Sequence, residues 1–133
     1  MADAKAAGLL TADLAICGAL MSNTPVTLWP QRFHWASLLL LATSGIFALW
    51  ALYPRTPKIG SSLIFWEDIR ARPTVDDYLT DLCQVDDMEI ERQYGAQNYL
   101  VCGVLSTKYR LVHRSMWCLL AAVPLLAIRL SGG

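Results

Sequence analysis

The 133-residue chain has room for one domain, or for a membrane anchor with a small soluble piece, but not for two ordinary globular domains. Its 11 basic and 11 acidic residues cancel, which excludes a global field that would gather nucleic acid polymers. With 55% hydrophobic residues gathered in blocks and a mean hydropathy of +0.38, membrane insertion is the first expectation.

The first apolar segment, residues 5–21, is barely long enough to span a bilayer and carries Asp13 near its middle. Lys5 and the apolar run have the outline of a secretory signal, but Asp13 interrupts it and the cleavage signal downstream is weak, so retention is expected. An ionised carboxylate at that depth costs roughly 2.5–3.5 kcal/mol on insertion scales. Asp13 should therefore face a protein partner or water, or carry a proton. Gly8, Ala12, Ala15 and Ala19 form a small-residue stripe suited to close helix packing, unless they are there only because alanine favours helices. Cys17, Cys83, Cys102 and Cys118 include no C-x-x-C pair and suit neither a zinc site nor a disulfide scaffold.

Residues 22–32, "SNTPVTLWPQR", read as a short extramembrane loop. Residues 34–53 then run without Asp, Glu, Lys or Arg and make the clearest transmembrane helix. Trp35 near its start and Trp50 and Tyr53 near its end suit the two interfaces, and Pro54 stops it.

The non-membrane insert follows. "SSLIFW" reads as a strand or extended segment, and "TVDDYLTDL" as a short amphipathic helix capped by Thr74, with Val75, Tyr78, Leu79 and Leu82 at helical spacing. From Asp86 no strong breaker occurs until Pro124, and Ile90, Tyr94, Val101, Leu105 and Val112 mark a helical stripe. One long helix is expected, amphipathic at first and entering the membrane as a third span over 115–130; a buried soluble helix is the competing assignment for that apolar run. Residues 54–114 hold Arg55, Lys58, Arg70, Arg72, Arg92, Lys108, Arg110 and Arg114, against Arg32 alone in the preceding loop. The positive-inside rule puts this region and the N-terminus in the cytoplasm. The fold class expected is mainly α: one membrane domain over 1–133 with three spans, a small insert of one extended segment and one short helix, and a long helix entering the last span.

No nucleophile with a base and no metal cluster stands out, so no enzyme, cofactor or metal site is expected. His34 and His113 lie at predicted membrane boundaries, where an amphipathic ring is ordinary. The acids from Asp76 to Glu91 suit solvated faces and helix N-termini. Two cationic and aromatic groupings remain, "YPRTPK" and "TKYRLVHR". Lys108 and Arg110 beside Tyr109 could hold a phosphate and stack a ring, or simply anchor on lipid headgroups.

Taken in order, "ADAKAAGLL", "LYPR", "SLIFWEDI", "TVDDYLTDL" and "LSTKYRLVHRSMW" resemble the Pycsar transmembrane effector family of bacterial antiphage defence, from about Asp3 to Leu126. The resemblance implies a partner nucleotide cyclase that makes a cyclic pyrimidine mononucleotide, cCMP or cUMP, on phage infection. It also implies an inner-membrane effector that answers by impairing membrane integrity, with growth arrest or abortive infection. Related chains often have Phe-Gly or Phe-Phe where Phe65 and Trp66 stand here. On this basis Tyr53, Arg55, Lys58, Ser62, Phe65, Trp66, Lys108, Tyr109 and Arg110 are the candidate ligand residues, with the Ser61–Trp66 segment packed near Lys108 to Arg110. Gly8, Ala12, Asp13, Ala15 and Ala19 form the candidate face for a homo-oligomer in contact with membrane lipid. The alternative is a membrane-anchored adaptor or assembly protein whose Ile90 to Val112 stripe recruits a cytoplasmic partner.

Overall fold

The structure is a computed structural model that describes residues 1–22, 28–54, 60 and 62–131. Among these residues five helices occur: α1 (Ala2–Met21), α2 (Leu28–Leu52), α3 (Trp66–Arg70), α4 (Val75–Gln84) and α5 (Asp87–Ser131). Three of the described segments are long and apolar enough to cross a membrane, Ala2–Met21, Gln31–Leu52 and the region Asp87–Ile128. The chain divides into two compact units, Met1–Tyr53 with Ser106–Gly133, and Pro54–Leu105.

The first unit is a three-helix bundle with its core in layers. Ala6, Ala51 and Val112 meet in one apolar layer, with Leu9, Leu52 and Leu111 packed around them. Leu20, Leu41 and Ala122 meet in another, flanked by Ile16, Leu38 and Leu119. Between these layers in sequence lie Asp13, Ser44 and Ser115, one from each helix, all buried. Ser44 Oγ donates to Asp13 Oδ2 at 2.8 Å and lies 3.0 Å from the Ser115 carbonyl oxygen and 2.9 Å from Ser115 Oγ. Lipid tails are as apolar as leucine, so no hydrophobic force drives spanning helices together; close packing and interhelical hydrogen bonds must do it. The buried face of α2 accordingly runs through Ser37, Leu41, Ser44, Ala48 and Ala51, mostly small side chains. The small-residue stripe of α1 is not the face used within the chain: Gly8, Ala15 and Ala19 are exposed, while Asp13 turns inward.

One boundary differs from the sequence expectation. Helix α2 begins at Leu28, inside the stretch expected to be a loop, because Pro30 falls in its first turn, where a missing N–H breaks no intrahelical bond. Helix α5 continues through Pro124 to Ser131. Prolines are tolerated in spanning helices because neighbouring groups restore the freed backbone partners.

In the second unit, Gly60 adopts φ +93°, a conformation that only glycine takes readily. After it, Ser62 organises a bend. Its hydroxyl accepts from the amides of Ile64 and Phe65, each at 3.1 Å, and its own amide donates to Asp68 at 3.0 Å. Gln93 of α5 fastens the bend by accepting from the Leu63 amide at 2.8 Å, and the Tyr78 hydroxyl donates to the Leu63 carbonyl. Phe65 has extended dihedrals as the residue before α3, but Leu63 to Phe65 form a bend, no strand forms among the described residues, and Trp66 begins α3. Thr74 caps α4 by accepting from the Asp77 amide at 3.1 Å, and Arg72 pairs with Asp81.

Two outcomes follow from these contacts. Ser44→Ala removes the donor held by Asp13 and should cost about 1–2 kcal/mol, read from the unfolding midpoint in detergent. Asp13→Asn keeps an acceptor for that hydroxyl and should cost less; a larger loss than in Ser44→Ala would overturn the role given to Ser44. Gln93→Ala should speed amide hydrogen exchange at Leu63 about tenfold or more while leaving α1 and α2 unchanged, and an unaltered rate would show that Gln93 is not the fastening.

Candidate anion-binding face

The cationic stretch "TKYRLVHR" is wholly helical, part of α5 in the bundle unit. Positions three and four apart share a helix face, so Ser106, Tyr109, Arg110, His113 and Arg114 line a single open groove of about 490 Å³. All five are exposed.

The cations around this groove have different fates. Lys108 points away from the groove: its Nζ donates to Asp3 Oδ1 at 2.7 Å, with a side chain only 13% exposed against 60% for Asp3. That pairing spends its charge inside the bundle unit. Lys5 Nζ lies 5.8 Å from the centre of the Tyr109 ring, a cation–π contact that positions the ring. Arg110 makes a long 3.4 Å hydrogen bond to Thr107 Oγ1, and neither Arg110 nor Arg114 has an acidic partner among the described residues.

His113 is fixed by its neighbour one turn on. Trp117 Nε1 donates to His113 Nε2 at 2.7 Å, and the two rings stand edge to face at 5.8 Å. An Nε2 that accepts leaves the ring proton on Nδ1, so this histidine serves as a neutral donor. The groove thus holds two guanidinium forks, a phenol ring, a hydroxyl and an imidazole N–H. Guanidinium forks match the paired oxygens of a phosphate, and the ring offers a stacking surface. Among the described residues the lining holds no acid that could serve as a general base.

Ser62, Phe65 and Trp66 belong to the second unit, where Ser62 and Leu63 meet Gln93 of α5. The Phe65 and Trp66 rings lie 6.1 Å apart, with Phe65 buried and Trp66 exposed. Tyr53 ends the second span with its side chain exposed. Arg55 and Lys58, together with Ser61, lie outside the described residues. His34 is buried, its ring edge to face with that of Trp35.

Arg114, His113 and Ser106 were not among the residues singled out for ligand contact. Their signal was present as spacing: once Tyr109 and Arg110 are placed on a helix, the positions three or four residues away must share their face. Ser44 and Ser115 were missed for a related reason, since each reads as an unremarkable polar residue within or beside an apolar run until it stands opposite Asp13.

No match to the chain was found among curated proteins or solved structures. The Pycsar effector protein domain, PycTM, matches residues 1–132. With that match covering nearly the whole of a chain that has three spanning helices, the protein belongs to the Pycsar effector family of multi-pass membrane proteins that act in antiphage defence.

Proposed function

We propose that this effector senses a cyclic pyrimidine mononucleotide, cCMP or cUMP, on the α5 face and responds by impairing the inner membrane, so that the infected cell arrests or dies. The observation that carries this reading is the pair Arg110 and Arg114, without acidic partners among the described residues, beside Tyr109 in one groove. A groove of about 490 Å³ is in the size range of small-ligand sites. A cyclic mononucleotide would give its phosphate to the guanidinium groups and its base to the phenol ring. Ser106 and His113 add donors for exocyclic oxygens. The signal would come from a partner cyclase, and no covalent chemistry is required of the effector.

Orientation supports the same reading. Residues 54–114 carry eight cations against one in the 22–33 loop, so this region and the N-terminus face the cytoplasm, where a cyclase product accumulates. The 106–114 face lies where α5 enters its spanning segment, and a ligand there would act directly on the bundle. A second reading, a membrane-anchored adaptor, is favoured by α4, whose apolar Val75 and Leu79 are 72% and 47% exposed. Exposed apolar positions on a short helix suit a protein partner.

The test is thermal unfolding of the detergent-purified full chain against cyclic mononucleotides and cyclic dinucleotides. A ligand that binds the folded form alone stabilises it by about 2.7 kcal/mol at a hundredfold excess over Kd, so the midpoint should rise with a cyclic pyrimidine nucleotide. Absence of any shift in a folded sample would favour the adaptor. Arg110→Ala should weaken the effective ligand at least about tenfold, equivalent to about 1.4 kcal/mol, while leaving membrane insertion intact. Unchanged affinity and unchanged toxicity would remove Arg110 from the site.

A further inference from the structure

Three oxygens surround the Ser44 hydroxyl within the bundle: Asp13 Oδ2 at 2.8 Å, Ser115 Oγ at 2.9 Å and the Ser115 carbonyl oxygen at 3.0 Å. A hydrogen bond between two oxygens needs a proton, and each serine hydroxyl brings one. Drawn with an ionised Asp13, Ser44 spends its proton on Oδ2, and Ser115 supplies its own to Ser44 Oγ. The Ser115 carbonyl, which can only accept, then faces Ser44 Oγ with no proton between them. Asp13 Oδ1 adds to the cost of the ionised form. It is buried without a partner among the described residues, and an unpaired oxygen costs more when it carries charge.

No opposite charge offsets that cost among the described residues. Their ion pairs involve Arg72, Arg92 and Lys108, none of them with Asp13. Towards Asp13, α2 presents Ser44, which Ser115 of α5 contacts in turn. Cys17, one turn along α1, packs beside the apolar layer of Leu20 and Leu41 and adds a thiol, which brings no positive charge. Arg114 precedes Ser115 on α5 but is exposed.

We infer that this layer is a proton-binding site: the resting bundle holds Asp13 as a neutral carboxylic acid whose Oδ2–H donates to Ser44, which frees the Ser44 proton for the Ser115 carbonyl. The Asp13–Ser44 bond then runs opposite to its direction with a carboxylate, and each of the three contacts has its own proton. A metal ion fits this geometry less well. Its ligand oxygens would stand around a common centre at coordination distance, whereas here they stand around Ser44 Oγ at hydrogen-bond lengths. The neutral acid lets α1 lie in hydrocarbon without a charge. When water enters the layer, the proton passes from Oδ2 to water and the carboxylate is left behind.

Infrared spectroscopy of the full chain in lipid vesicles at neutral pH tests the site. The parent should show the C=O band of a protonated carboxyl group, moved to lower frequency when aspartate carboxyl carbons carry 13C. The band should resist deuterium exchange, because Asp13 is the buried aspartate among the described residues. Asp13→Asn should remove it, and Ser44→Ala, which takes away the acceptor of the acid, should raise its frequency. The isotope shift and slow exchange are read in the parent, so the result stands even where a variant fails to fold. Carboxylate bands alone in the parent overturn the proton site. A carboxyl band that survives Asp13→Asn belongs to another acid and overturns it as well. So does an Asp13 carboxylate band that moves when potassium replaces sodium in the buffer, which identifies a bound metal ion instead.

Discussion

A carboxylate inside a bilayer must be answered by protein, and Asp13 is answered through Oδ2 by Ser44 of α2, which Ser115 of α5 contacts in turn, while its buried Oδ1 has no partner among the described residues. Water cannot reach a side chain that is 2% exposed between packed helices, so its contact with Ser44, and that of Ser44 with Ser115, set the rotation of all three spans. Rotation is otherwise weakly determined in lipid, because one leucine-rich face solvates as well as another. Small residues on α2 let the helices come close enough for hydroxyl-length contacts. The larger Leu39, Ile46, Leu49 and Trp50 of that helix are left to the lipid.

That choice of rotation decides what α5 presents on its other side. With Ser115 and Ala122 turned into the bundle, positions on the opposite face, Arg110, His113 and Trp117 among them, must turn outward. The cations are consequently divided by function. Lys108, about half a helical turn from Arg110 around the axis, is drawn inward and neutralised by Asp3. The open guanidinium groups of Arg110 and Arg114 are a consequence of a serine buried within the membrane, a link that crosses from packing to electrostatics along one helix.

Much of this architecture was legible in the residues. The three spans, the capped helix after Pro73 and the single long helix entering the membrane all follow from patterns with strong local causes: length of apolar run, Thr74 with its acids, and an absence of breakers. The family was legible from the order of short motifs, although each one alone is common. Less legible were features that depend on which side of a helix faces what. The Gly8 to Ala19 stripe reads as a face for another helix; within the chain Gly8, Ala15 and Ala19 stay exposed and Asp13 turns toward Ser44, which small-residue spacing alone does not reveal. The "SSLIFW" burst was read from its apolar content as extended, whereas its backbone is governed by one hydroxyl and one glutamine, Ser62 and Gln93, 31 positions apart. Long-range polar pairs of this kind leave no periodic trace.

The same rigidity gives a route from surface to core. An α-helix with its backbone bonds intact transmits rotation without loss over two turns, so the face at Arg110 and the hydroxyl at Ser115 cannot reorient independently. Any event that turns Arg110 toward a new partner therefore acts on the contact that holds Ser44 and Asp13. A loosened layer would expose a carboxylate within the hydrocarbon, where it must be answered again, either by water drawn into the membrane or by polar groups of another chain. Under the function proposed above, either answer would weaken the barrier, and the group that makes the resting bundle specific would also be the group released.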